Sequence, residues 1–311
     1  MPYPIDRKLV VGVSSNALFD LRHEHMIFLQ EGIEQYREYQ LEQKTVALNK
    51  GVAYPFVKRF LHINSVYQEE LPVEVVLLSK NSPESGIRIF NSIKHYGLDI
   101  TRAAFTSGES PFKYIPAYNI SLFLSTNEED VENSIMAGHG AGRVLQTVIN
   151  DNDDDLELRV AFDFDGVIAD DEAEKVYKET EQLGMFHEHE TDHASQVHNP
   201  VPLADFFKKL SFFQKLENKK LQGTEGYKKI LKTAIITARN APSHERAINT
   251  LMEWGVTVDD MFLMGGIEKK RILEIYKPHL FMDDQLSHLN EAIENIPLVH
   301  IPFGVANKKL Q

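Results

Sequence analysis

Short apolar runs recur along the whole chain, separated by stretches of helical period, and that alternation admits few folds other than α/β with a largely parallel sheet. In the second half the runs are "LRVAF", "KTAIIT", "MFLMGG", "HLFMD" and "PLVHIP"; in the first half they are "KLVVGV", "VEVVLLS", "RAAFTS" and "ISLFLS". Between two of them "SHERAINTLMEWG" reads as an amphipathic helix closed by Gly255, and "ESGIRIFNSIKHYG" as another closed by Gly97. The polar, acidic stretch "INDNDDDLEL" has no periodicity and places a domain boundary near Asp155, giving an N-terminal α/β domain, 1–155, and a second α/β domain, 156–311.

About seventy residues separate the first two apolar runs of the second half. An insertion just after a strand end in an open α/β sheet overhangs the ligand-binding edge, so residues of about 171–230 are expected to form a helical cap. Within it, "FFKKLSFFQKL" reads as a buried cap helix. His187, His189, His193 and His198 fall in what reads as an irregular stretch, without the ligand spacing of a zinc site; a cap loop bordering the substrate is expected, with His193 nearest to it.

Polar residues follow the ends of the predicted parallel strands: Asp163 and Asp165 in "AFDFDGVIAD", Thr237 and Arg239 in "IITARN", Lys269 or Lys270 in "GGIEKK", and the pair Asp283–Asp284. Strand ends of such a sheet share one edge, so these groups should converge. Four carboxylates around one crevice repel each other unless a cation joins them. Oxygen donors in a chain with no cysteine favour a hard divalent ion such as Mg²⁺, held by Asp163, Asp165, Asp283 and Asp284. Carboxylates, a metal, a hydroxyl and a lysine suit phosphoryl transfer. Asp163 is the expected nucleophile and Asp165 the acid and base, with Lys269 or Lys270 assisting; Thr237, the third-loop lysine and Arg239 are expected to hold the phosphate. Gly166 lets the chain turn sharply, so that both aspartates face it.

The formal charge of −13 argues against a general affinity for nucleic acid or anionic membrane. The N-terminal segment has no signal-peptide core, and no stretch approaches the ~18 apolar residues of a membrane span. A cytoplasmic protein is expected, with its last residues, "ANKKLQ", a frayed tail.

"DFDGVIAD", "TAR", the third-loop lysine and "DD", in that order, resemble the four motifs of the haloacid-dehalogenase-like phosphohydrolases. "VSSNALF", "YPFVK", "NSIKHYG", "FHEHETDH", "KPHLFMDDQLSH" and "IPFGVA" lie mostly outside those motifs and resemble the cytosolic 5′-nucleotidases of type I over nearly the whole chain. The resemblance implies a Rossmann-like core with a helical cap and Mg²⁺-dependent hydrolysis of nucleoside 5′-monophosphates through a phosphorylated Asp163. It favours Lys269 over Lys270. It also suggests a nucleotide effector and a homo-oligomer. The rival readings are a phosphatase for a sugar phosphate or other small metabolite, and a nucleotide-binding regulator without turnover.

The first half echoes the second with its acids removed. "VGVSSNALFD" laid on "VAFDFDGVIAD" puts Ser14 over Asp163 and Asn16 over Asp165. Ser79 to Ser107 spans 28 positions, as does Thr237 to Gly265; Ser107 to Ser125 spans 18, as does Gly265 to Asp283. A degenerate copy of the same core would follow, with Ser14, Asn16 and Ser107 at a substrate or effector site to which Arg88 and Lys113 add charge.

Overall fold

The structure, a computed structural model, describes residues 3–175, 183–289 and 293–307. The chain divides into two compact units, Met1–Val148 and Ile149–Gln311. The break falls a few residues before Asp155 because Arg159 draws the acidic stretch into the second unit, donating to Asp155 at 2.8 Å and to Glu157 at 3.0 Å. The Asn150 N–H likewise donates to the Asn295 side chain at 3.0 Å.

In the first unit β1 (Leu9–Val13), β4 (Val73–Ser79), β5 (Arg102–Phe105), β6 (Ile120–Ser125) and β7 (Ala141–Val144) form a sheet in the order β7-β6-β1-β4-β5, every pair parallel. A separate antiparallel pair joins β2 (Phe19–Asp20) to β3 (Asn49–Lys50). The connection from β1 to β4 carries α1 (Ser15–Leu18), α2 (Arg22–Glu31), α3 (Ile33–Glu42) and α4 (Tyr54–Val66). Then come α5 (Gly86–His95) and α6 (Glu128–Met136). Every residue of β1 and β4 is buried, as expected of central parallel strands covered on both faces.

The second unit is built from β8 (Leu158–Phe162), β9 (Leu231–Thr237), β10 (Asp260–Leu263), β11 (Leu280–Asp283) and β12 (Leu298–His300), in the order β10-β9-β8-β11-β12 and again all parallel. Its described helices are α7 (Leu183–Asp192), α8 (Ala204–Gly223), α9 (His244–Glu253) and α10 (Lys270–Tyr276). Counted from its own first sheet strand, each unit therefore lays its five strands in one order: fifth, fourth, first, second, third.

Of the stretch expected to form a cap, the helices α7 and α8 are described; part of it lies outside the described residues, as does most of the C-terminal tail. Phe206 and Phe207 of α8 are buried against Phe162 of β8, with ring centroids 6.3 and 5.0 Å away, so the phenylalanine-rich segment packs on the sheet. His187 and His189 lie on α7, so the first part of that stretch is helical, whereas His193 and His198 follow the helix in irregular chain.

Candidate active site

The second unit's β8, β9 and β11 end side by side, and their register brings the acidic residues together. Phe162 pairs with Met282 and with Ile235, which sets Asp163 beside Asp283 and near Thr237. The Asp163 N–H extends the ladder to the Met282 carbonyl at 2.8 Å. Asp163, Thr237, Lys269, Asp283 and Asp284 are all buried.

Lys269 sits at the N-terminal end of α10 with its ammonium between two carboxylates, 2.6 Å from Asp163 Oδ2 and 2.6 Å from Asp283 Oδ2. Burial works against its charge, but those neighbours outweigh it and hold the proton above the ordinary lysine range. Lys270 faces the other way, 3.5 Å from Glu274 on the surface of the same helix. Asp163 Oδ1 accepts the Phe164 N–H at 2.7 Å. Burial pushes the Asp163 carboxyl up to about 7 against the pull of Lys269.

The two aspartates at the end of β11 differ in what they can still do. Asp283 is saturated: besides Lys269, its Oδ1 accepts the Gln285 N–H at 2.9 Å and lies 3.1 Å from His288 Nδ1. Burial opposes its charge, yet Lys269 and His288 hold its pKa below the carboxylate range. Asp284 is the reverse. Both its oxygens are buried and neither accepts a hydrogen bond among the described residues; burial, then Asp163 and Asp283, drive its carboxyl up to about 10. Three buried carboxylates thus face one ammonium, and a carboxylate with two unpartnered oxygens is a donor fit for a hard cation. Asp163, Asp283 and His288 also offer atoms within 4.8 Å of one another. The residues fit a divalent metal, with Asp284 rather than Asp283 holding the free oxygens.

Gly166 is required here by space as well as by conformation. Its φ is +71°, and a Cβ would stand 2.6 Å from Asp284 Oδ2.

Asp165 and Arg239 are bound to each other. Arg239 grips Asp165 with two parallel bonds, Nε to Oδ2 at 2.8 Å and Nη2 to Oδ1 at 2.6 Å. Its remaining donors reach Glu190 of α7 and the Ser243 carbonyl, and Nη2 lies 3.1 Å from His198 Nε2. Every guanidinium nitrogen is engaged, and both carboxylate oxygens of Asp165 accept from Arg239.

Sequence reasoning missed the rest of this network. Glu190 receives Arg246 at 2.9 Å as well as Arg239; His198 Nδ1 lies 2.7 Å from Asp170. Burial would raise the Glu190 carboxyl, but His198 and Arg239 outweigh it and pull it to about 2. Burial pulls His198 down, while Asp170 and Glu190 outweigh that and raise it. Glu190 and His198 lie within the histidine-rich stretch singled out above, but only docking of α7 reveals their partners. His288, four residues beyond Asp284 in "DDQLSH", was within reach of a spacing argument. His193 stacks on His189 at 4.2 Å and its Nδ1 lies 2.7 Å from the His189 carbonyl; no described contact joins it to the aspartates.

Fold and site together define a Rossmann-like α/β core whose acids, hydroxyl and lysine gather at one strand-end edge. The chain belongs to the 5′-nucleotidase family, whose model matches residues 1–308. It is 33% identical over 299 residues to human cytosolic 5′-nucleotidase 1B, an alignment covering 94% of this chain and 48% of that protein. The chain thus spans about half the length of the curated relative it matches. No solved structure matches it.

Proposed function

We propose that this chain is a Mg²⁺-dependent phosphoric monoester hydrolase acting on nucleoside 5′-monophosphates. The observation that carries the reaction class is the buried Lys269 ammonium, 2.6 Å from both Asp163 and Asp283, beside the unpartnered carboxylate of Asp284. The nucleotide preference rests on family membership and on the named activity of the human relative. A cytoplasmic setting rests on that relative's name; among the described residues no helix is long and apolar enough to cross a membrane.

In this reading an Asp163 oxygen attacks phosphorus and the bond to the ester oxygen breaks, leaving a phosphorylated Asp163. Asp165, once released from Arg239, donates a proton to the departing 5′-oxygen. It then takes one from the water that attacks the phosphorylated aspartate, and inorganic phosphate leaves. Lys269 and the Thr237 hydroxyl neutralise and orient the phosphoryl oxygens. Mg²⁺, held by Asp163 and Asp284, would add a positive charge at those oxygens.

The test is phosphate release from a panel of nucleoside monophosphates and sugar phosphates, with Mg²⁺ and with chelator, for the natural chain and Asp163→Asn. Mg²⁺-dependent release from nucleotides, absent in the variant, is expected. Release from sugar phosphates alone would keep the mechanism and overturn the substrate; nucleotide binding without release would make the chain a regulator.

A further inference from the structure

The first unit repeats the catalytic edge position for position. In register, Val13 pairs with Leu77 and Leu124 as Phe162 pairs with Ile235 and Met282. Ser14 therefore falls where Asp163 falls, Ser79 where Thr237 falls and Ser125 where Asp283 falls. The loop bonds agree. The Ser14 N–H donates to Leu124 as Asp163 does to Met282, both at 2.8 Å; the Ser107 N–H donates to Asn81 as Gly265 does to Arg239, both at 3.2 Å. Ser107 and Gly265 share the left-handed backbone, φ +50° and +54°. Where Lys269 opens α10, Pro111 opens a short 3₁₀ turn. Hydroxyls and a proline thus replace the nucleophile, the lysine and the acidic pair.

A cavity of about 340 Å³ remains at this edge, within the size range of small-molecule sites, about 300–1,000 Å³. It is lined by Ser14 and Ser125 at the ends of β1 and β6, Asn16 of α1 and Asn81 just beyond β4, and by residues of α2 and α3. These helices follow β1 in the chain as the cap helices follow β8. Phe28 and Tyr36 meet edge to face there, 6.1 Å apart, and Phe28 is 41% exposed. The lining is rich in donors. Ser14 Oγ accepts the Ala17 N–H at 3.2 Å and Ser125 Oγ the Asn127 N–H at 3.1 Å, so each hydroxyl keeps its proton to give. Lys80 also lines the cavity, its charge offset by Asp130 at 2.9 Å, and the buried Arg37 Nε has no acceptor among the described residues. Arg88 and Lys113, expected to add charge, are committed elsewhere: Arg88 to Glu24 and Lys113 to Glu109.

We infer that this cavity binds a phosphate monoester carrying a flat ring, with no metal and no turnover. The ring lies on Phe28 and Tyr36, and the phosphate oxygens take the hydroxyl protons of Ser14 and Ser125. No carboxylate stands where the nucleophile would be. The inference goes beyond the proposed activity and rests on the first unit alone.

The test is calorimetric titration of the full chain, in chelator, with a nucleoside 5′-phosphonate whose bridging methylene resists hydrolysis. One site per chain is expected. Asn16→Phe, which fills the cavity, should abolish binding; Ser14→Ala, which removes one donor, should weaken it about 5- to 10-fold; Asp163→Asn should change it less than about 2-fold. Circular dichroism checks the fold of each variant, and Ser14→Ala serves if Asn16→Phe does not fold. No binding in chelator, or binding sensitive to Asp163→Asn and not to the first-unit substitutions, overturns the inference. Loss of the proposed activity in the phosphate-release panel leaves it standing.

Discussion

Lys269 and Lys270 are neighbours of one type, and packing alone separates their roles. Replacing Lys269 by methionine leaves Asp163 and Asp283 buried against each other without the ammonium. A loss of about 3–5 kcal/mol is expected in urea melts, together with phosphate release at least ~100-fold slower. Lys270→Ala, on the surface beside Glu274, should stay within about 0.5 kcal/mol with release unchanged. Equal effects of the two would refute the assignment. Gly166 makes a second case at this scale. Gly166→Ala puts a methyl group against Asp284 in a left-handed backbone, so about 1–3 kcal/mol of strain is expected. The displaced carboxylate should raise the Mg²⁺ concentration for half-maximal release roughly tenfold; an unchanged Mg²⁺ dependence would show that Asp284 holds no metal. Sequence could name the acidic pair and the sharp turn, because strand-end aspartates and a following glycine are local features. It could not say that Asp283 is saturated and Asp284 is not, since that depends on where Lys269, Gln285 and His288 arrive.

At the scale of elements, α7 is tied to the core through charge. Glu190 is buried and receives both Arg239 and Arg246, the first of which also grips Asp165. Its carboxyl, near 2 when folded against an ordinary 4.5, contributes stability that is fully present above about pH 4.5 and lost as pH falls toward 2. Glu190→Gln should therefore lower stability at pH 7 by about 3 kcal/mol and flatten the acid limb below pH 4.5. Urea melts between pH 7 and pH 3 measure it, and parallel curves for the two proteins would contradict the ion-pair account. Loss of Glu190 also removes one of the two carboxylates that hold Arg239, which loosens the grip on Asp165. The strands and the helices closed by Gly97 and Gly255 were legible because apolar period and a left-handed glycine are written locally. The α7 network was not, because an acid on one helix and arginines some fifty residues away have no spacing rule. The same holds for Arg239, whose place in "TARN" suggested phosphate and said nothing of its bonds to Asp165.

For the whole molecule the two units differ less in fold than in charge at the strand ends. The spacings of 28 and 18 residues already carried that likeness, and the shared strand order and loop bonds give it a physical form. What spacing could not supply was the first unit's cavity wall, since Phe28 and Tyr36 line the cavity only once α2 and α3 have folded beside it. The charge difference predicts a unit-specific response to metal in the intact chain. A cation at a hundred times its dissociation constant stabilises the state that binds it by about 2.7 kcal/mol, or roughly 100-fold in opening equilibrium. Hydrogen exchange with and without Mg²⁺ should therefore slow sharply for the amides of Asp163–Gly166 and Asp283–Gln285. The amides of Ser14 and Ser79, at the corresponding edge of the first unit, should be unchanged, because hydroxyls there offer a divalent ion no net charge. In Asp284→Asn the protection of the second unit should fall away. Equal protection of both edges would mean that Mg²⁺ acts on the chain as a whole and not through the carboxylates at the end of β11.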